Sequence, residues 1–364
     1  MGFGPGMGKT GVTILPLHYG KAPCWLFERM SVLSREIISS ITMEFGPNAL
    51  LDKISDPYWF QALGCVLGFD WHSSGLTTTV TGALKEGLRG LEGELGVFMA
   101  GGKGTASRKT PAQVTEFGNI FGFDPEPLIY ASRMSAKVDN TAVQDGYQLY
   151  HHFFVFTRSA EWAVVQQGMN TENRMARRYH WLSNSMENFV VEPHAAVCCD
   201  LLKPTLNLVA TESEGARQAC TEIAKEPPEK VLTEIKRIET FAMPKRHHVT
   251  PGDVDPRRIF RALIKTYERQ PKDFESLLGL EGVGPKTIRA LSLVSEIIYG
   301  KAPSYRDPAR FSFAHGGKDG TPFPVDKIVY DRTIEVMKKA IQSAKIGNKD
   351  KMEAVRRLSL FYEI

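Results

Sequence analysis

The sequence predicts an α+β fold: a mixed α/β N-terminal domain with a β-hairpin-containing sheet, then a mainly helical C-terminal domain. Three observations carry this expectation. Residues 148–157 (QLYHHFFVFT) and 162–169 (WAVVQQGM) are dense in aromatic and β-branched side chains, and the short stretch TRSAE joins them, so they read as a hairpin. From residue 211 the composition shifts to Glu, Lys, Ala and Arg. After residue 250 apolar residues recur at helical spacing.

In chain order, residues 1–10 are glycine-rich and read as a frayed tail. Gly8-Lys9-Thr10 has the end of a phosphate-loop pattern, but Phe3 stands where its first glycine belongs. Leu26, Met30, Leu33, Ile37, Ile38 and Ile41 place one helix face over 23–45, and a second helix fits 47–53. Residues 57–88 mix aromatics, close glycines and a Ser/Thr cluster, with CVLGF strand-like in character. A short buried strand is expected at 95–99, a flexible basic loop at 101–110 and a helix at 111–120. The α/β domain is expected to span 11–210 and the helical domain 211–364. Thr211 and Glu214 have capping-box spacing, Pro227-Pro228 interrupts the helical run, and Asp255-Pro256 suits a cap with proline at the first helical position. Ile259, Phe260, Leu263, Ile264 and Tyr267 then form one face, helices follow near 273–280 and 285–299, and two more close the chain after Pro324.

Apolar residues at 42% and charged residues at 24% describe a folded chain rather than a disordered one. Lys and Arg number 45 against 41 acids; the +4 charge permits a nucleic-acid partner without requiring one. No apolar run reaches the roughly 18 residues a spanning helix needs, so no membrane association is expected. The N-terminus lacks the basic and apolar regions of a secretory signal. Five cysteines without CxxC spacing argue against a disulfide framework or zinc knuckle and suggest a reduced cytoplasm.

The sharpest motif is LLGLEGVGPKTIRALSLVSEI. Gly282-Val283-Gly284 allows a tight turn with exposed amides, Val283 can plug the junction, and Pro285 opens the second helix. Such amides at a helix N-terminus can hold a backbone phosphate, with Lys286, Thr287 and Arg289 beside them. The stretch 274–298 resembles the helix-hairpin-helix family of DNA repair proteins, which implies sequence-independent DNA binding. It is also similar to the hairpin of DNA glycosylases of the endonuclease III type. In that resemblance Lys286 matches the lyase lysine and Asp326, in PFPVD, the catalytic aspartate, although the intervening loop is longer and no iron–sulfur cysteines follow.

Polar residues concentrate between Arg133 and His194. Asp139, Asn140, Gln144 and Asp145 precede the strand with His151 and His152; Gln166 and Gln167 lie on the next; Arg177, Arg178 and His180 follow. Carboxylates and imidazole near arginines suit metal-assisted phosphodiester hydrolysis. Asp139, Asp145 and His151 are the expected ligands of Mg²⁺ or Mn²⁺, His151 or His152 a ligand or general base, Gln166 a further member, and Arg133, Arg177 and Arg178 a phosphate clamp. Adjacent histidines on a strand point to opposite faces, so only one can serve a given site. Both also fit a satisfied core role, and Asp139-Asn140 and Asp145-Gly146 also fit turns.

Lys103, Arg108 and Lys109 in the glycine-rich basic loop suit a DNA phosphate or a solvated surface. Asp70, His72, Ser73 and Ser74 suit phosphate binding or helix capping, and His247-His248 a basic linker.

The blocks LPLHYGKAPCWLFERM, DPYWFQALGCVLGFDWHSSGLTTTVTGALKEGL, AGGKGTASRKTP, AKVDNTAVQDGYQLYHHFFVF, WAVVQQGMN and HGGKDGTPFPVD resemble domain of unknown function family 763 from about residue 11 onward. The resemblance implies a cytoplasmic prokaryotic protein linked to DNA repair and assigns no catalytic residue. The resulting expectation is a metal-dependent DNA endonuclease. A non-catalytic DNA-binding scaffold and a glycosylase or lyase using Lys286 and Asp326 are the alternatives. DNA is the expected partner, and a homodimer is left open.

Overall fold

Residues 22–68, 74–172, 175–199, 202–238, 256–309, 335, 339–344 and 347–360 are described by a computed structural model. Helices α1 (Cys24–Phe45), α2 (Pro47–Ser55), α3 (Pro57–Val66) and α4 (Ser74–Leu88) open the chain. Local chemistry sets their limits. Gly46, at φ 84°, turns the chain between α1 and Pro47, the first residue of α2. Asp56 caps α3 by accepting from the Tyr58 and Trp59 amides, a contribution of about 1 kcal/mol. The strand character expected around CVLGF is not observed, because Cys65 and Val66 end α3. Most of α3 is buried, so its apolar residues run on without the period of an amphipathic helix.

After a single turn, α5 (Glu92–Leu95), the central sheet begins with β1 (Val97–Lys103). Helices α6 (Thr110–Phe121) and α7 (Glu126–Lys137) follow, then a π turn at Val138–Ala142 and the short β2 (Val143–Gln144). The hairpin β3 (Gln148–Thr157) and β4 (Trp162–Asn170) forms as expected, and β5 (Met175–Leu182) and β6 (His194–Cys198) extend it. The sheet is antiparallel with order β1-β3-β4-β5-β6; β2 pairs separately with β7 (Leu206–Asn207). The expected loop at 101–110 is instead the end of β1, a 3-10 turn at Gly104–Lys109 and the start of α6. Helix α7 and strands β5 and β6 were not expected from the sequence.

Both faces of the sheet are covered. One carries Phe153, Val155, Ala163 and Val165, packed against apolar residues of α1–α4. The other carries Phe98, Phe154, Phe156, Val164 and Trp181, in one cluster with α6, α7 and C-terminal residues as far as Val294. Those later residues come from α8 (Glu214–Ala224), α9 (Pro228–Ile238), α10 (Pro256–Arg269), α11 (Phe274–Gly279) and α12 (Pro285–Ile297). The apolar cluster therefore crosses residue 210, where a domain boundary was expected. A last helix, Asn348–Leu360, returns to the opposite side, where Ala354 and Leu358 join the cluster of α1–α4 and Arg357 Nε donates to the Val66 carbonyl at 3.0 Å.

Candidate active site

Strand alternation puts His152, Gln166, Tyr179 and Trp181 on the face that meets α7. The register sets His152 opposite Gln166 and Gln166 opposite Tyr179. The π turn after α7 delivers a fully buried Asp139 to the same place. Gln166 Nε2 donates to Asp139 Oδ2 at 2.6 Å, and Trp181 Nε1 donates to the same oxygen at 2.9 Å. His194 Nε2 meets Asp139 Oδ1 at 2.5 Å. On the other side, His152 Nδ1 lies 2.8 Å from Gln166 Oε1, and Ser132 Oγ of α7 lies 2.8 Å from His152 Nε2.

This chain fixes its own protons. A carboxylate only accepts, so Gln166 must turn its amide nitrogen to Asp139 and its carbonyl to His152. A carbonyl only accepts, so Nδ1 of His152 carries the hydrogen. Burial lowers the His152 pKa against opposing contributions from Gln166 and Asp139, which keeps the ring neutral. Nε2 is then bare and accepts from the Ser132 hydroxyl.

Ser132, His152 and Gln166 line a cavity of about 250 Å³, together with Tyr150, Arg108 and Arg133. Tyr150 receives a short hydrogen bond, 2.5 Å, from Gln167 Nε2, and Lys103 Nζ sits 5.9 Å from the centre of its ring. Arg108 and Arg133 are exposed, and neither has an ion pair among the described residues. The cavity thus joins an electropositive rim to a neutral imidazole.

The other expected members sit differently. Asp145 Oδ2 accepts from Arg177 Nη1 at 2.8 Å and from Tyr179 Oη at 2.7 Å, while Oδ1 accepts from the Tyr147 amide at 2.9 Å. Arg177 Nη2 also pairs with Asp307 Oδ2 at 2.7 Å. Burial opposes the charge on Arg177, but Asp145 leads the groups that outweigh it and hold its pKa well above the ordinary value. Burial pushes the Asp145 carboxyl up while Arg177, Tyr179 and Tyr147 pull it down. Arg177 keeps its charge, because a guanidinium has no neutral form at ordinary pH.

His151 and Arg178 point to the opposite face. His151 Nε2 lies 3.1 Å from Thr81 Oγ1, and burial, with smaller contributions from His152 and Lys103, pushes its pKa down to about 3. Arg178 reaches Gln61 Oε1 at 3.1 Å and sits 4.9 Å from the centre of the Phe60 ring. Asp139, Asp145 and His151 are therefore not brought together as one ion's ligands. Among the described residues no group of three or more His, Cys, Asp or Glu side chains is placed to hold a metal. Arg177 and Arg178, fully buried on opposite faces, do not form a joint clamp on the cavity.

Lys103, Arg108 and Lys109 are exposed at the end of β1 and on the 3-10 turn. Gly282 has φ 88°, and Val283 is buried in the junction between α11 and α12. Gly284 caps α12, Lys286 is exposed, and Thr287 is buried. Arg289 Nε donates to Gln144 Oε1 at 2.7 Å, and Gln144 Nε2 donates to the Pro285 carbonyl at 2.9 Å. Lys137, on the last turn of α7, reaches the Leu280 carbonyl at 3.5 Å. The glycine turn is thus tied to the helix that carries Ser132 and Arg133. Ser74 is buried and its carbonyl accepts from Gln167. Asp70, His72, Ser73, His247, His248 and Asp326 lie outside the described residues.

Sequence reasoning did not single out Ser132, Tyr179, Trp181 or Asp307. The shortest signal for Ser132 is its helical neighbour Arg133, but a face of α7 becomes readable only once that helix is known.

The family described as "Protein of unknown function (DUF763)" has a model that matches residues 11–325. No curated protein and no solved structure matches the chain.

Proposed function

We propose, from the premise that the chain belongs to the DUF763 family, that it is a DNA nuclease whose phosphodiester chemistry takes place in the cavity beside α7. One observation carries this reading. Two exposed arginines, Arg108 and Arg133, without ion pairs among the described residues, flank a cavity lined by His152, whose Nε2 accepts from the Ser132 hydroxyl. Guanidinium groups grip phosphate through paired N–H donors, and a neutral imidazole in that position accepts the proton of an attacking hydroxyl. Asp139, through Gln166, keeps the ring in the required tautomer and favours the imidazolium that forms.

The glycine turn supports the same reading from a second position. Its resemblance to a helix-hairpin-helix suggests that amides at the start of α12, with exposed Lys286, hold backbone phosphate without reading bases. Lys137 and Gln144 link that turn to the segment bearing the cavity residues.

The expected Mg²⁺ or Mn²⁺ fits the donor set poorly. Asp145 is engaged by Arg177, and both oxygens of Asp139 are engaged by Gln166, Trp181 and His194. The proposed proton transfer therefore runs through His152.

The test is digestion of labelled single-stranded, duplex and junction DNA, with Mg²⁺, with Mn²⁺ and with chelator. The wild type is expected to cut at least one form, and His152→Gln to lose on the order of 100-fold or more in rate. Joint replacement of Arg108 and Arg133 by Ala is expected to flatten the salt dependence of duplex binding by about 2 in log–log slope. Equal cutting by His152→Gln overturns the assignment of His152. Binding without any cutting turns the reading into that of a DNA-binding scaffold.

A further inference from the structure

Ser132 is a buried nucleophile that the reading above does not use. Its hydroxyl donates to a nitrogen left bare by three successive constraints: Asp139 orients Gln166, Gln166 fixes the hydrogen on Nδ1, and Nε2 is left to accept. A hydroxyl on an imidazole whose far nitrogen is anchored is the arrangement that makes serine reactive. Here an amide, itself held by a carboxylate, replaces the directly attached carboxylate of the usual triad. Gln166 cannot take the proton, so the charge formed on His152 stays on the ring, one amide away from Asp139.

The surroundings favour a phosphorus substrate over a carbonyl one. Ser132 and His152 are only 3% and 5% exposed, and the space they line also takes Arg108 and Arg133. Two cations without ion pairs among the described residues, lining the same cavity as the nucleophile, offset the negative charge that grows on non-bridging phosphate oxygens. Helix α7 supplies rigidity, because Ser132 and Arg133 are consecutive on its backbone.

We propose that Ser132 is the attacking nucleophile and that cleavage passes through a phosphoserine diester. This rests on the nuclease reading for its substrate class, an internucleotide phosphodiester. In the first step the Ser132 Oγ–P bond forms and the bond from phosphorus to one strand oxygen breaks. The Oγ proton moves to His152 Nε2 and from there to the departing oxygen. In the second step water gives a proton to the same Nε2 and attacks phosphorus. The Oγ–P bond breaks, Oγ regains its proton, and the sum is hydrolysis with no other reactant.

Two measurements separate this proposal from the reading on which it rests. An alkyl fluorophosphonate, a phosphorus electrophile that needs no DNA, is incubated with the full chain, and the adduct is located by peptide mass. Labelled DNA is then mixed with the protein and quenched in detergent to detect a covalent complex. The expected result is phosphonylation at Ser132, at least 10-fold slower in His152→Gln and absent in Ser132→Ala, with DNA adduct and cleavage lost together in Ser132→Ala. Thermal unfolding verifies that the variant is folded. If it is not, Ser132→Cys is used, and modification of the new thiol by iodoacetamide faster than in the Ser132→Cys, His152→Gln double variant is the expected sign of the same activation. Cleavage retained in folded Ser132→Ala overturns the nucleophile while leaving the nuclease standing. Phosphonylation of Ser132 in a protein that cuts no DNA keeps the nucleophile and removes the nuclease. Absence of phosphonylation in the wild type, or equal thiol rates with and without His152, overturns the proposal.

Discussion

Asp145 offers the sharpest contrast between an ion ligand and a buried counter-charge. Replacing it with Asn changes one oxygen to an amide nitrogen at nearly constant volume. If the remaining oxygen keeps the Tyr147 amide, the new N–H₂ faces Arg177, donor against donor. Arg177 is fully buried, so water cannot take the place of the lost charge. Removing one member of a buried pair costs about 3–5 kcal/mol, and Asp307, still 2.7 Å from Nη2, holds the cost to the lower end, about 3 kcal/mol. Unfolding entropy of about 2.1 cal/mol/K per residue gives roughly 0.76 kcal/mol/K for a chain of 364 residues, so Tm is expected to fall by about 4 °C.

The assay is calorimetric unfolding at pH 7 in chelator, where an ion ligand would show no deficit on becoming Asn. A companion variant, Asp145→Leu with Arg177→Met, removes both charges and is expected to recover most of the loss, because apolar replacements avoid the desolvation that the pair suffers. Asp307 in that variant keeps the amides of Lys203 and Ala309. An Asp145→Asn protein that melts within 1 °C of the wild type would refute the reasoning, as would a double variant less stable than the single one.

Two further outcomes follow from the sheet. Burial lowers the pKa values of His151, His152 and His180 below the ordinary 6.5, so their contribution is complete above pH 6.5 and is lost as pH falls toward the folded values. His151, with a folded value near 3, adds about 1.4 kcal/mol per pH unit to the slope below pH 6.5; His151→Gln is expected to remove that increment in urea unfolding between pH 6.5 and 5, and a wild type flat over that range contradicts it. At Gly101, φ is 86° and an added Cβ would come within 2.2 Å of the His152 carbonyl, whereas Gly104, at φ 61°, has open space around it. Gly104→Ala is therefore expected to cost about 1–2 kcal/mol from its backbone conformation alone. Gly101→Ala is expected to cost on the order of 1–3 kcal/mol more and to shift the NMR resonances of His152, and equal losses of stability would refute the close approach.

The hairpin of β3 and β4 was legible because aromatic and β-branched side chains fill both of its faces and only a short turn joins its strands. Strand β5 was not, and the reason is physical. Arg177 and Arg178 in MARRYHW read as a phosphate clamp, yet Asp145 and Asp307 on one face, and Gln61 with the Phe60 ring on the other, make both burials tolerable. Those partners lie more than 30 residues away in the chain, and no local period reports them. The alternation rule did state that one histidine of the pair would face a given site. Choosing His152 required knowing that α7 and Gln166 lie on its side and Thr81 on the other.

The arginines make the same point in energetic terms and lead to the site. A fully buried guanidinium must have its charge matched and its donors occupied by the protein, so it has little left to offer a phosphate that arrives later. Arg177 gives Nη1 to Asp145 and Nη2 to Asp307, and Arg178 gives Nη2 to Gln61 with the Phe60 ring beside it. Arg108 and Arg133 remain exposed, without ion pairs among the described residues, and line the same cavity as His152. In sequence, Arg133, Arg177 and Arg178 read as one clamp because they share a residue type and a stretch of chain. Burial divides them into a structural pair and a free one, and it joins Arg133 to Arg108, which the basic loop had suggested for a separate role. The availability of a charge, rather than its proximity in sequence, therefore points to the cavity beside α7 as the place where substrate meets His152.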